Sequence, residues 1–185
     1  MRPARIVVLA GVNGAGKSSV LGEMLVAAGI PFFNPDAQTR SLLQRRPELV
    51  PDQANSMIWQ VMVTRLERAI AEQSSFFFET TLGAHTIPRL LAQAADSGTA
   101  VELAFVGLSG PELHIQRVAA RVAAGGHDIP EAKIRERYVN SMRNLVQLIP
   151  KLTTLRVFDN SQDRDAGDPV SLVEIVDQRL VAWRP

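Results

Sequence analysis

The chain has 185 residues, a formal net charge of +1 and no cysteine. That length suits one domain with a sizeable core, and the balanced charge excludes a broad basic field for nucleic acid or an anionic membrane. The missing cysteines exclude a disulfide framework and Cys-based metal sites. No apolar run approaches the ~20 residues of a membrane span, and the chain opens on a strand pattern without a secretory leader, so a cytoplasmic location is expected.

The first element expected is a buried parallel strand, the β-branched run Arg5-Ile6-Val7-Val8-Leu9-Ala10. It leads into Gly11-Val12-Asn13-Gly14-Ala15-Gly16-Lys17-Ser18, which satisfies G-x-x-x-x-G-K-[ST] at every required position. In this pattern glycines let the backbone curl so that N–H groups converge on phosphate oxygens. The lysine ammonium bridges the β- and γ-phosphates, and the hydroxyl binds Mg²⁺. Asn13, Gly14, Ala15, Gly16, Lys17, Ser18 and Ser19 are therefore the expected nucleotide-binding residues, with Ser18 the metal ligand. Val20, Leu21, Met24, Leu25 and Ala28 then recur at helical spacing, and Gly29 stops that helix.

A second strand is expected from Ile30 to Asn34, followed by a helix over 36–46 that breaks at Pro47. A longer helix from about Asp52 to Gln73 carries Ala54, Ile58, Val61, Met62, Leu66, Ala69 and Ile70 on one face. Ser75-Phe76-Phe77-Phe78-Glu79 reads as a buried strand with an acid at its carboxyl end. Residues 86–97 form a helix capped by Gly98, and Ala100 to Gly107 a strand. Ser109-Gly110-Pro111-Glu112 reads as a capping box opening a helix to about Ala124, which Gly125-Gly126 ends. Asp128-Ile129-Pro130-Glu131 repeats that logic and opens a helix to about Ile149. Thr153 to Phe158 is a strand, Ser161 to Asp168 a loose segment, and Val170 to Val176 with Leu180 to Trp183 a last strand or hairpin. The alternation predicts an α/β fold: a P-loop NTPase three-layer α/β/α sandwich with a mostly parallel five- to six-stranded sheet and a helical lid. Residues 1–185 form a single domain, and its ligands belong at the carboxyl ends of the strands.

Three groups of polar residues follow those strand ends. Asp36, just past the second strand, suits a general base that accepts a proton from a substrate hydroxyl, provided that strand neighbours the first. It equally suits a helix N-cap. Glu79, followed by Thr80 and Thr81, suits Mg²⁺ held through water or substrate hydroxyls; the alternative is an ordinary strand end. Residues 114–140 look like an arginine-bearing lid: Arg117 and Arg121 share a helix face with His114 behind, Gly125-Gly126-His127-Asp128 makes a flexible break, and Lys133, Arg137, Asn140 and Asn144 line the next helix with Arg135 nearby. Arginine forks stabilise charge on a transferring phosphoryl group; the competing reading is a solvated basic face paired with Glu112, Glu131 and Glu136. His85, His114 and His127 have no metal-ligand spacing. Asn160, in Phe158-Asp159-Asn160-Ser161, is placed to meet the adenine, or else belongs to a turn.

These motifs together resemble the zeta-toxin-like P-loop kinases, in particular the short bacterial members once labelled predicted ABC-type ATPases. The matching pieces are Ala10 to Ser19, Asn34-Pro35-Asp36, Phe78-Glu79-Thr80-Thr81 and Gly125 to Glu131. Arg135, Arg137, Tyr138, Ser141, Asn144-Leu145 and Asp159-Asn160-Ser161 continue the pattern. The resemblance implies an ATP- and Mg²⁺-dependent phosphotransferase with a five-stranded parallel core. In it Asp36 is the base, Glu79 and Thr80 meet the substrate, and Lys17 with Arg121 and Arg135 or Arg137 clamps the phosphates. It points to a hydroxyl of a small molecule, such as the nucleotide sugar UDP-N-acetylglucosamine, and to an antitoxin protein as partner. No L-S-G-G-Q signature supports the ABC label. An ATP-binding regulatory module or ATPase controlling a partner protein is the alternative; a GTPase is disfavoured by the lack of an N-K-x-D sequence.

Overall fold

The computed structural model describes residues 3–17, 31–162 and 169–184. Ser18, Ser19, the helix expected over Val20 to Ala28, its stop at Gly29, Ile30 and most of the Ser161 to Asp168 segment lie outside these residues. The described elements are β1 (Arg5–Ala10), α1 (Pro35–Arg45), α2 (Pro51–Ala71), β2 (Phe76–Thr80), α3 (Thr86–Asp96), β3 (Ala100–Gly107), α4 (Pro111–Ala123), α5 (Glu131–Leu148), a 3₁₀ turn (Ile149–Lys151), β4 (Thr154–Asp159), β5 (Val170–Val176) and β6 (Arg179–Trp183).

The strands make one sheet in the order β2-β1-β3-β4-β5-β6. β1 pairs in parallel with β2 and β3, and β3 with β4; β5 and β6 add antiparallel. The sheet is thus mixed, with a parallel centre, as an α/β chain whose strands are joined by helical crossovers requires. Alternation along each strand divides the core. Ile6, Val8, Phe78, Leu103 and Phe105 face one side, where Met62 and Leu66 of α2, Leu90 and Leu91 of α3, and Leu145 and Leu148 of α5 cover them. Leu9 and Val106 face the other side with Ala15.

Three expectations are corrected. The second strand shrinks, within the described residues, to a single parallel bridge between Phe33 and Phe78. Phe33 donates its N–H to Phe77 and accepts from Glu79, at 2.8 and 3.0 Å. Asn34 then turns away to cap α1, and Pro35 has no N–H with which to extend the ladder. That bridge lies on the outer side of β2, so β2, not the segment before Asp36, neighbours β1. The two capping boxes are also absent: α4 and α5 start after Gly110 and Pro130 with no side-chain cap. The Ser109 N–H instead donates to Ser161 Oγ, and Asp128 accepts from the adjacent Ile129 N–H. Finally, Gly125-Gly126 is not a loose break. Their N–H groups donate to the carbonyls of Val122 and Arg121, a Schellman closure that locks the end of α4.

Candidate active site: a Walker loop gripped by two helices

The loop after β1 is tightly curled, and its glycines are required by contact. Gly11 has φ +143°, and a Cβ there would lie 2.2 Å from the Val106 carbonyl oxygen. Gly14 has φ +84°, and its Cβ would lie 2.9 Å from the His114 carbonyl oxygen. Neither site accepts another residue without moving backbone. The Gly11 N–H donates to the Thr80 carbonyl at 3.2 Å, and the Ala15 N–H to Val12 at 3.1 Å. Asn160 braces the loop, its Nδ2 donating to the Ala15 carbonyl at 2.9 Å.

Lys17 and Glu79 are both buried, at 7% exposure each. Lys17 Nζ lies 3.3 Å from Glu79 Oε1 and donates to the Val12 carbonyl at 3.4 Å. Glu79 Oε2 accepts from Asn34 Nδ2 at 3.0 Å, and Asn34 Oδ1 accepts the Ala37 N–H at 2.9 Å as the N-cap of α1. Lys17, Glu79 and Asn34 therefore tie the ends of β1 and β2 to the start of α1. Asp36 stands exposed in the first turn of that helix. Although its approach strand does not adjoin β1, its charge reaches the Arg137 guanidinium.

The structure separates the expected lid arginines. Arg137 Nη1 donates to Asn13 Oδ1 in the Walker loop at 2.7 Å, and its stem packs on Gly83. Burial pulls its guanidinium below the ordinary range, while Asp36 and Glu136 oppose that shift. Arg135 points elsewhere, to Glu112 at 2.6 Å across the α4–α5 surface. Its guanidinium holds the Glu112 carboxyl below the usual range. Arg121 donates to the His127 carbonyl at 2.8 Å and so holds the α4–α5 connection. Arg117 donates to the Gln162 carbonyl at 3.0 Å. Val12, Val118 and Ile134 form a small apolar cluster that joins the Walker loop to both helices, with Tyr138 against it.

On the β2 side, the Thr80 and Thr81 hydroxyls accept the N–H groups of Leu82 and Gly83 at 3.1 and 3.4 Å. α5 clamps this loop. Ser141 Oγ donates to the Thr81 carbonyl at 2.8 Å, and Asn144 Nδ2 donates to the carbonyls of Leu82 and Ala84 at 2.7 and 3.2 Å. The helix that carries Arg137 is thereby fixed to both loops that flank the site.

The curled glycine loop, the enclosed ammonium and the parallel strand ends define a P-loop kinase-like α/β protein. The Zeta toxin family model matches residues 2–167, and the chain belongs to that family. An uncharacterized protein of Haemophilus influenzae is 28% identical over 128 residues, covering 69% of this chain and 88% of its own. Among solved structures, the AvrRxo1-ORF1:-ORF2 complex with ATP superposes with a TM-score of 0.70 at 19% identity, over 97% of this chain and 60% of that one. The present chain thus spans 60% of the AvrRxo1 chain, less than two thirds of it. The PezAT chromosomal toxin-antitoxin system of Streptococcus pneumoniae gives a TM-score of 0.56 at 18% identity, over 94% and 72%. Shikimate kinase of Acinetobacter baumannii gives 0.50 at 14%, over 89% and 88%. These likenesses are of fold.

Sequence reasoning named four residues, Asn34, Ser141, Asn144 and His114, without finding the contacts by which they organise this site. Asn34 was visible in Asn34-Pro35-Asp36, and an Asn before a helix-opening Pro is an N-cap signal, but its second bond, to Glu79, is long-range. Ser141 and Asn144 are buried polar residues on α5 whose partners lie 60 or more residues away. His114, placed behind Arg117 and Arg121 in the lid and judged for metal spacing, is buried against the Walker loop.

Proposed function

We propose that this protein is an ATP-dependent phosphotransferase acting on a hydroxyl group of a small molecule. The observation that carries the reading is the convergence of Lys17, Glu79 and Arg137 on one curled glycine loop. The family membership supports it, as does the ATP named in the AvrRxo1 structure. The residues fit the donor. Glycines stand where a Cβ would collide, the loop backbone is curled, and a buried ammonium sits at its end. Asn13, Gly14, Ala15, Gly16, Lys17, Ser18 and Ser19 hold the triphosphate in this reading, with Asn160 bracing the loop beside the base. Ser18 would hold Mg²⁺, which would supply neutralisation of the triphosphate's negative charge.

In the transfer, Asp36 accepts the proton of the acceptor hydroxyl as that oxygen bonds to the γ-phosphorus. The bond from that phosphorus to the β–γ bridging oxygen breaks, and its electron pair leaves with ADP. Lys17 and Arg137 offset the charge carried by the equatorial and leaving oxygens. Arg121 and Arg135, in the lid region 114–140, join them once their bonds to the His127 carbonyl and Glu112 open. Glu79 and Thr80 line the acceptor side. UDP-N-acetylglucosamine is the first acceptor to test, and an antitoxin-like protein the partner, the latter supported by the toxin-antitoxin nature of PezAT.

The test is incubation with ATP, Mg²⁺ and UDP-N-acetylglucosamine, quantifying ADP and phosphorylated sugar nucleotide. The wild type should form the two in equal amounts. Asp36→Asn should lose at least about 100-fold of that rate, the scale of general base catalysis, while binding ATP normally. Full turnover by Asp36→Asn would remove the base from that position. No phosphorylated product with this acceptor would exclude it as the substrate.

A further inference from the structure

Asn13, next to the Val12 that packs on both lid helices, accepts a hydrogen bond from each of them. Arg137 of α5 takes its side-chain oxygen, and His114 of α4 takes its main-chain oxygen, with Nδ1 at 2.9 Å. His114 is only 1% exposed, and its ring stands edge-on to Tyr138 of α5 at 5.7 Å between centroids. A carbonyl oxygen only accepts, so Nδ1 carries the proton. The peptide that links Asn13 to Gly14 is planar and trans, which sets its C=O and N–H in opposite directions. With the carbonyl tied to α4, the Gly14 N–H is aimed away from α4. A Cβ on Gly14 would lie 2.9 Å from the His114 carbonyl oxygen, so this close approach of loop and α4 needs glycine.

We propose that His114 is a positioning residue for the nucleotide: by donating Nδ1–H to the Asn13 carbonyl it turns the Asn13–Gly14 peptide so that the Gly14 N–H faces the triphosphate. The inference rests on the reading of this loop as an ATP site. Burial keeps the imidazole below its ordinary titration range, with the cationic Lys17 and Arg117 adding to that and the bond to Asn13 opposing it. The ring is therefore neutral at pH 7, with one donor nitrogen, and that donor is committed to the loop. His114 does not touch the phosphates; it acts through Asn13.

The test compares ATP affinity by calorimetry for wild type, His114→Leu, His114→Gln and His114→Asn, well below each protein's melting temperature and without acceptor. An Asn Nδ2 stands where the imidazole Nδ1 stands, whereas the Gln amide stands one carbon further out. His114→Leu and His114→Gln should weaken ATP binding about 10-fold or more, and His114→Asn should stay within about 3-fold of wild type. A merely structural role would lower all three melting temperatures and leave the folded proteins' affinities equal. Wild-type affinity in His114→Leu, or a loss in His114→Asn as large as in His114→Gln, overturns the proposal. Should His114→Leu not fold, the Asn–Gln contrast decides. Failure of the ATP-site reading looks different: the wild type itself would not bind ATP.

Discussion

At the scale of single residues, the buried pair Lys17–Glu79 dominates the electrostatics of the site. Both side chains are under 10% exposed, so neither charge is well solvated without the other. Replacing Glu79 with Gln keeps the volume but leaves an ammonium enclosed beside an amide. The expected loss is about 3 kcal/mol of folding stability, read as a lower denaturant midpoint with unchanged slope. Stability within about 0.5 kcal/mol of wild type would mean that Val12 and the remaining neighbours solvate Lys17 unaided. The same pair shows what sequence reveals about a site. The glycine-lysine pattern identifies Lys17 because its spacing is local. That Glu79 answers it follows only from the parallel register that sets Leu9 beside Glu79.

At the scale of elements, the periodic helices and the apolar strands of the parallel core were legible because their hydrophobic faces are set by local repeats. Caps and edges were not. Ser109 and Asp128 have the chemistry of N-caps, but Gly110 and Pro130 occupy the cap positions, and the Ser109 and Asp128 groups bond elsewhere. The segment before Asn34 has a strand's composition but pairs on one side only and ends at a proline, so a single bridge survives. The β5–β6 hairpin was half visible, and its turn is unusual. Asp177 and Gln178 both have positive φ, 48° and 61°, as a two-residue turn matching strand twist requires. Neither residue is Gly or Asn. Gln178→Gly should therefore stabilise the protein by about 1 kcal/mol, measured by thermal or denaturant unfolding. A loss of stability on that change would show that the Gln178 side chain contributes more than its backbone costs.

At the scale of the whole molecule, the parallel centre of the sheet brings β1, β2 and β3 to one edge, where the Walker loop, Glu79 and Gly107 emerge. α5 spans this edge. Its Leu145 and Leu148 belong to the main core, its Ser141 and Asn144 hold the loop after β2, and its Arg137 holds the Walker loop. Movement of the α4–α5 pair would thus be felt at both the Walker loop and the loop after β2. This long-range layout could not be read from spacing, because each contact joins segments separated by 60 or more residues. The central claim is that the Walker loop is the donor half of a phosphotransferase site. It is tested most directly by mass spectrometry of a metabolite extract incubated with ATP and Mg²⁺, with wild type and Asp36→Asn run in parallel. The account predicts a metabolite that gains one phosphoryl group with wild type alone, matched by ADP. An extract in which wild type phosphorylates nothing, although the protein binds ATP, would contradict it.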